Sequence, residues 1–300
     1  MIVGPTASGK SELAVALAKK INGEIISADS RQVYRGMDIG TGKVEGAWRP
    51  KIKNPKVFIY KNISHHCIDF VSPKRQYSVA KFKQCADAAI RGIANRGKIP
   101  ILCGGTGFWI DAVAYDMRLP EVPPNAKLRK KLARKTAKEL LAILKKLDPK
   151  RAKNIEQKNP RRLIRAIEIA RALGKVPELK KQQRYDTLWL GIKKPREELR
   201  HLIGIRLRKR LKQGMVQERK KLLTKGVSHR RLQELGLEYK FVSLYLQGKL
   251  QKLQMIQMLQ RAIEQYARRQ ETWFKRNKKI YWIQNKKDAE RLVKIFFKSS

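Results

Sequence analysis

The 300-residue chain has little cysteine, little histidine and little negative charge, and each shortage excludes something. Its three cysteines, Cys67, Cys85 and Cys103, are far apart, odd in number and never in C-x-x-C spacing, so no disulfide framework is expected and a reducing, cytoplasmic setting is. Of the four histidines, His65 and His66 stand beside Cys67 in a metal-like cluster. No second ligand pair lies at zinc spacing, so packing in a turn or core is the better expectation. His201 and His229 are isolated and expected to be solvated. No apolar run approaches the roughly 18 residues that a membrane span needs. Met1 leads almost directly into a glycine-rich motif, so a secretory signal is not expected either. No internal repeat recurs.

What is present in excess is positive charge. Lys and Arg number 70 against 25 Asp and Glu, giving +45. The surplus is uneven: residues 1–120 carry +10 and residues 121–300 carry +35. Such a field draws polyanions by counterion release, and nucleic acid is the usual partner. A hydrophobic fraction of 42% still allows an ordinary core.

Apolar strands and amphipathic helices alternate through the first part. Met1–Val3 is apolar, Glu12–Lys20 reads as a helix, Glu24–Ala28 as a strand ending at Asp29, and Val57–Tyr60 as another strand. Ser78–Ala94 is helical in spacing, and Ile99–Cys103 is a buried strand that stops at Gly104-Gly105. The pattern predicts an α/β fold with a parallel sheet. At Leu119-Pro120-Glu121-Val122-Pro123-Pro124 the register changes, and Asn125 to about Leu173 is basic, helical and without strand signals. Thr187–Ile192 restores a strand. A long helix follows with Leu199, Ile203, Leu207, Leu211 and Met215 four apart, then a helix over Leu250–Arg269 and a last strand at Lys279–Ile283. The expected organisation is a sheet domain, 1–118 and 187–300, interrupted by a helical insertion, 119–186.

Gly4-Pro5-Thr6-Ala7-Ser8-Gly9-Lys10-Ser11 fits G-x-x-x-x-G-K-[ST] at every position. Glycines let backbone N–H groups close around a phosphate, and the following helix aims its positive end there. Lys10 supplies charge for the outer phosphate, and the Ser11 hydroxyl is a ligand for Mg²⁺. Most such loops bind ATP or GTP, so a nucleotide kinase is the default at this point. Asp29, at a strand end beside the loop, is placed to hold Mg²⁺ or to act as a general base. Thr106, after Gly104-Gly105, brings a hydroxyl to the same rim.

The run Asp29-Ser30-Arg31-Gln32-Val33-Tyr34-Arg35-Gly36-Met37-Asp38-Ile39-Gly40-Thr41-Gly42-Lys43, together with the phosphate motif, His65-His66-Cys67-Ile68-Asp69, Gly104-Gly105-Thr106-Gly107, Asn159–Ala166 and Arg268–Phe274, resembles the tRNA dimethylallyltransferase (tRNA isopentenyltransferase) family, of the bacterial type without a C-terminal zinc finger. The resemblance spans essentially the whole chain, and the second block is its most specific part. It implies a P-loop NTPase-like fold whose loop has turned to dimethylallyl diphosphate, with the exocyclic N6 amine of the adenosine 3′ of the anticodon as acceptor.

By that resemblance Asp29 takes the amine proton, Thr106 orients the reacting groups, Lys10 and Arg210 meet the diphosphate, and Asp69 has a structural role. The implied tRNA contacts are Asp29, Ser30, Arg31, Gln32 and Thr106 at the site. On the helical insertion they are Arg129 and Arg161-Arg162-Leu163-Ile164-Arg165, and in the tail Arg268, Arg269, Gln270, Thr272, Trp273 and Lys275, with Gln233–Glu238 as a further segment. Trp273 has two readings, a stacking platform for a base or ribose and a partly buried helix-end residue. The implied partners are tRNA and dimethylallyl diphosphate, with Mg²⁺ as cofactor and a monomer as the working form. A nucleotide kinase and a prenyltransferase of free adenine nucleotides are the rival readings; neither accounts for the basic second half. Two departures stand out: a first strand shorter than the family's, and Leu237 where an aromatic usually follows the glycine.

Overall fold

The sheet forms because its central strands are apolar on both faces, which a layer of helices on each side covers. In the computed structural model, which describes residues 1–51 and 54–299, β1 (Ile2–Val3) leads into α1 (Lys10–Lys20) and β2 (Gly23–Ala28). An antiparallel pair, β3 (Ala47–Lys51) and β4 (Asn54–Tyr60), precedes β5 (Ile63–His66), α2 (Val79–Ala94), β6 (Ile99–Gly104) and α3 (Gly107–Ala114). Four helices follow: α4 (Ala126–Leu132), α5 (Ala137–Leu147), α6 (Pro149–Lys153) and α7 (Pro160–Leu173). The chain then forms β7 (Trp189–Ile192), α8 (Arg196–Lys212), α9 (Met215–Thr224), α10 (His229–Glu234), α11 (Leu237–Leu246), α12 (Lys252–Phe274), β8 (Ile280–Ile283) and α13 (Lys286–Ser299).

The sheet order is β3-β4-β5-β2-β6-β1-β7-β8. It is parallel from β5 to β8 and antiparallel at the β3–β4–β5 edge. Side chains alternate across it. Val3, Ile26 and Leu102 face Phe82 of α2 and Ile110 and Val113 of α3, while Ile2, Ile25 and Ile101 face Leu13 and Leu17 of α1 and Val293 of α13. A third cluster, with Ile203 and Leu207 of α8 and Met255 and Leu259 of α12, holds the later helices together. Among the described residues no helix is long and apolar enough to cross a membrane.

Two compact units result, one of residues Met1–Tyr115 and Gln183–Ser300, the other of Asp116–Gln182. The breaks fall a few residues before the positions expected from the sequence. The second unit has its own core, in which Leu132, Leu140, Leu144, Leu163 and Ile167 are buried. Its helices start where side-chain caps dictate: Thr136 and Glu139 form a reciprocal capping box for α5, and Asn159 caps α7 ahead of Pro160.

Three expectations need correction. The stripe Leu199–Met215 is not one helix: the chain breaks at Gln213-Gly214, where Gly214 takes φ of +100° and starts α9 in a new direction. The cysteines are not all free. Cys67, in the turn after β5, is disulfide-bonded to Cys85 of α2 with Cα atoms 6.2 Å apart, leaving Cys103 buried and unpaired. Spacing along the chain says nothing about a helix folding back over a turn. His229 is exposed as expected but not isolated, since the Arg219 Nη2 and Gln247 Nε2 groups lie 2.9 and 2.8 Å from its Nδ1.

The strongest buried polar device is Glu24, 1% exposed on β2. His66 Nε2 and Arg96 Nη2 lie 2.7 Å from its Oε2, and Lys98 Nζ donates to Oε1 at 3.0 Å. Burial opposes its ionisation, but the bonds from His66, Lys98 and Arg96 outweigh burial and hold the carboxyl well below the usual range. A depressed carboxylate contributes stability that is complete above the unfolded value near 4.3 and is lost as pH falls below it. Glu24→Gln is therefore expected to cost about 1–3 kcal/mol at neutral pH, with the gap to wild type closing on acidification. Thermal unfolding followed at a series of pH values checks this; a gap independent of pH would contradict it.

Candidate active site

The centre of the sheet decides where the phosphate loop sits. β1 lies between β6 and β7, so the loop Gly4–Ser11 emerges at the carboxyl edge of the parallel strands, as ligand sites in such sheets do. α1 starts at Lys10 with Gly9 at its cap position and no side chain capping its amides. Its first turn is left with N–H donors and the positive end of the helix dipole aimed at the loop. Gly4, Pro5 and Ser8 are buried, Thr6, Ala7 and Lys10 half-buried, and Gly9 and Ser11 exposed. The Ser8 hydroxyl oxygen is buried with no hydrogen-bond partner among the described residues. Lys10 Nζ folds back onto its own loop, donating to Pro5 O at 2.5 Å. Burial lowers the Lys10 amine to about 8, with Arg206 lowering it further and Cys103 and Asp29 opposing.

One cavity gathers Thr6, Lys10 and Ser11 with Asp29, Gln32 and Arg206. Asp29, just past the end of β2, accepts from the N–H of Arg31 at 2.8 Å and of Gln32 at 3.4 Å, both on Oδ1. Its Oδ2 has no hydrogen-bond partner among the described residues. Thr106 stands at the start of α3; its Oγ1 accepts from Ser30 N at 3.1 Å and so ties the β6 edge to the segment after Asp29. Size alone would mislead here. A larger groove of about 720 Å³, rimmed by Arg35, Lys74, Lys221 and Lys225, contains no residue of the loop.

Arg206, which the sequence reading passed over, reaches the loop: its Nη1 donates to Thr6 Oγ1 and its Nη2 to Gly42 O, each at 3.4 Å. Burial, then the neighbouring Arg210, pull its guanidinium down to about 10, so it remains charged at neutral pH. Arg210, expected at the diphosphate, does not line this cavity; its Nη1 donates to Gly40 O at 3.3 Å and to Glu238 Oε1 at 3.2 Å. The two arginines are one turn apart on α8 and pack on the same glycine: a Cβ on Gly42 would come within 1.7 Å of Arg210 Nη2 and 2.1 Å of Arg206 Nη2. Both belong to the same basic run, and nothing in its spacing separates them.

Several residues expected at tRNA are committed elsewhere. Gln270 is 6% exposed and bridges two loops, accepting from Thr6 N at 2.8 Å and donating to Gly105 O at 2.9 Å, so both ends of its amide are engaged within the protein. Leu163 is fully buried in the helical unit, with Ile164 partly buried beside it. Arg129 and Arg165 clamp the buried Glu168, with Arg129 donating at 2.9 and 2.7 Å and Arg165 Nη1 at 2.5 Å. Trp273 packs on Gly107 and edge-on to Phe108 at 6.3 Å, with Arg276 over its ring. Within Gln233–Glu238, Leu235 is buried and Glu238 holds Arg210. Gln32 accepts from Ser27 Oγ and donates to Gly42 O, both at 3.2 Å. Arg161, Arg162, Arg268, Arg269, Thr272 and Lys275 are exposed, and Ser30 and Arg31 are half-buried.

The block from Asp29 to Lys43 is held from within. Lys43 Nζ is buried and donates to Tyr34 O at 2.8 Å, to Asp38 Oδ1 at 2.6 Å and to Asp69 Oδ1 at 2.5 Å, while Trp48 Nε1 donates to Asp69 Oδ2 at 2.8 Å. For a metal, no group of three or more His, Cys, Asp or Glu gathers among the described residues. Ser11 and Asp29 on one cavity wall are hard oxygen donors, a set that fits Mg²⁺ sharing its shell with phosphate oxygens and water.

A family described as IPP transferase matches residues 32–277, and one described as isopentenyl transferase matches residues 1–53. The chain is 43% identical to tRNA dimethylallyltransferase 2 of Trichlorobacter lovleyi, over 99% of this chain and 96% of the relative. It is 40% identical to tRNA dimethylallyltransferase 1 of Geotalea uraniireducens, over 98% and 96%. Among solved structures, the full-length tRNA isopentenylpyrophosphate transferase of Bacillus halodurans superposes with a TM-score of 0.69 at 34% identity, covering 98% of this chain and 93% of that one. A eukaryotic dimethylallyltransferase acting on tRNA gives a TM-score of 0.75 at 28% identity, over 94% and 72%.

Because Lys10 attracts an anion only as the ammonium, its lowered value carries a sign: affinity for an anion falls as pH rises past about 8. For inorganic diphosphate without divalent metal, wild type is expected to lose affinity relative to Lys10→Arg by up to roughly tenfold per pH unit above that point. The ratio cancels the ligand's own titration. Calorimetric titration of both proteins measures it, and a ratio that stays constant with pH would refute the assignment.

Proposed function

The chain belongs to the IPP transferase family and transfers a dimethylallyl group to tRNA, and we propose that its donor is dimethylallyl diphosphate and its acceptor the N6 amine of the adenosine 3′ of the anticodon. The observation that carries this reading is the single cavity in which Thr6, Lys10 and Ser11 of the phosphate loop meet Asp29 and Arg206. Anion-binding groups and a carboxylate with one uncommitted oxygen are what such a transfer requires. The relatives' names favour prenyl transfer to tRNA over a nucleotide kinase or a free-nucleotide prenyltransferase.

An exocyclic adenine amine is a poor nucleophile because its lone pair is delocalised into the ring. As nitrogen bonds to the terminal allylic carbon, the carbon–oxygen bond to the diphosphate breaks and the electron pair leaves with the diphosphate. The amine proton passes to Asp29 Oδ2. Charge grows on the leaving group, where the loop amides, Lys10 and Arg206 neutralise it. Mg²⁺, held through Ser11, would add positive charge at the same oxygens. Val44 and Ile68 line the same cavity and suit a five-carbon chain. Thr106, tied to Ser30, keeps the acceptor side of the cavity in register with Asp29. The target base must leave its stack to reach this pocket, as in other base-modifying enzymes.

For the RNA surface the reading rests on exposed cations. Arg161 and Arg162 at the start of α7, Arg268 and Arg269 on α12, and Lys275 just past its end are solvent-facing and suited to phosphates of the anticodon arm. We assign Arg129 and Arg165 a supporting part, through Glu168. The reaction is placed in the cytoplasm, with the enzyme acting as a monomer.

Asp29→Asn is expected to cut transfer by about 10²–10⁴-fold while tRNA affinity changes by no more than a few-fold. Mass spectrometry of nucleosides from tRNA incubated with enzyme, Mg²⁺ and dimethylallyl diphosphate reads the first quantity and filter binding the second. Undiminished prenyladenosine would remove Asp29 as the base. Arg161→Glu with Arg162→Glu should lower the slope of log affinity against log salt by about 1–2. An unchanged slope would take α7 out of the RNA surface.

A further inference from the structure

The segment Asp38–Gly42 lies outside regular structure, yet Arg206 and Arg210 of α8 both rest on its carbonyls. What fixes that segment is a carboxylate on a different helix. Glu218 of α9 is 9% exposed and accepts four hydrogen bonds. Oε2 takes the N–H groups of Asp38 and Ile39 at 2.7 Å each, and Oε1 takes Gly40 N at 3.0 Å and Tyr239 Oη at 2.7 Å. Three successive backbone amides therefore converge on one carboxylate, and the carbonyls of two of those peptides, Asp38 O and Ile39 O, accept from Lys43 N at 2.9 Å and Gly42 N at 3.1 Å. Gly40 is pressed against the Tyr239 ring, where a Cβ would come within 2.7 Å. Two residues on, Gly42 O receives Arg206 Nη2, and Arg206 Nη1 receives its second anchor from Thr6 of the phosphate loop.

We infer that Glu218 is a positioning residue for the donor diphosphate, acting through the Asp38–Gly42 segment to hold the Arg206 guanidinium over the phosphate loop. This rests on the reading that the loop takes a diphosphate. The physical need is plain. Arg206 and Arg210 repel one another, and before an anion arrives carbonyl dipoles, Glu238 and Asp29 offset them. A carbonyl carries weight in that role only if its own peptide is immobile: the peptide that carries Gly42 O is held through Lys43 N on Asp38 O at 2.9 Å, and the Asp38–Ile39 peptide is in turn held by Glu218. An acidic residue in the basic stretch Gln217–Lys225 is the trace of this in the sequence.

The test is Glu218→Gln, which keeps the shape but turns one oxygen into an N–H₂ group that faces donors instead of accepting from them. Inorganic diphosphate with Mg²⁺ is titrated calorimetrically, and steady-state transfer is measured against dimethylallyl diphosphate and against tRNA. Diphosphate Kd and donor KM are expected to rise roughly tenfold to a hundredfold, with tRNA KM within about twofold. In an Arg206→Lys background the same substitution should add little, because the two act in series. Equal diphosphate affinity in a folded variant, or an effect of the same size in both backgrounds, would overturn the assignment. If Glu218→Gln does not fold, Tyr239→Phe removes one of the four bonds and should show a smaller loss with the same coupling to Arg206; additive behaviour there would overturn the assignment equally. A wild type that binds diphosphate but transfers no prenyl group would count against the donor reading alone, since the titration still reports on Glu218.

Discussion

The site depends on mutual repulsion among positive groups that the fold holds together before any anion arrives. Lys10, Arg206 and the uncapped first turn of α1 all point into one cavity, with Arg210 behind them. Burial and proximity pull the Lys10 amine down to about 8 and the Arg206 guanidinium to about 10. Left free, such side chains would swing into water. They are retained because each has a fixed neutral acceptor: Pro5 O for Lys10, Gly42 O and Thr6 Oγ1 for Arg206, Gly40 O for Arg210. A diphosphate entering this cavity would relieve repulsion and make new bonds at once, which is the preorganisation that transition-state charge stabilisation requires.

Much of the surrounding structure serves to keep those acceptors still. Gln270 straps the phosphate loop to the loop after β6, Thr106 straps that loop to Ser30, and Lys43 gathers Tyr34, Asp38 and Asp69. These bonds join segments far apart in sequence, so the site is rigid only once the whole sheet unit has assembled. The helical unit is a separate economy. It has its own core and caps, and its clamp on Glu168 orients Arg129 and Arg165 while leaving Arg161 and Arg162 in solvent.

Legibility in the sequence followed the range of the interaction concerned. The phosphate loop, the α/β alternation and the helical insertion all depend on neighbours within a few residues, and all could be read. The choice between Arg206 and Arg210 could not, because residues four apart share a helix face and only their distant partners distinguish them, Thr6 of the phosphate loop for Arg206, Gly40 O and Glu238 for Arg210. Gln270 and Leu163 sit in segments rich in arginine, and reading the segment as a whole assigned them to RNA. Each proved to be on the inward side of its helix. The Cys67–Cys85 pairing was hidden for the same reason, since it needs α2 to return over the turn after β5.

By itself, then, the sequence determined the class of chemistry. A glycine-rich loop before a helix presents backbone N–H groups suited to phosphate, a strand-end carboxylate beside it suits a base or metal ligand, and 70 cations call for a polyanion. These are properties of short motifs and of composition. The tertiary structure decided which side chains actually meet: Arg206 at the loop, Glu218 under the Asp38–Gly42 segment, Gln270 inside and not at the surface. Those pairings join residues more than 150 positions apart, and a guanidinium or carboxylate acquires a role only when the field and the hydrogen-bonding groups around it are in place.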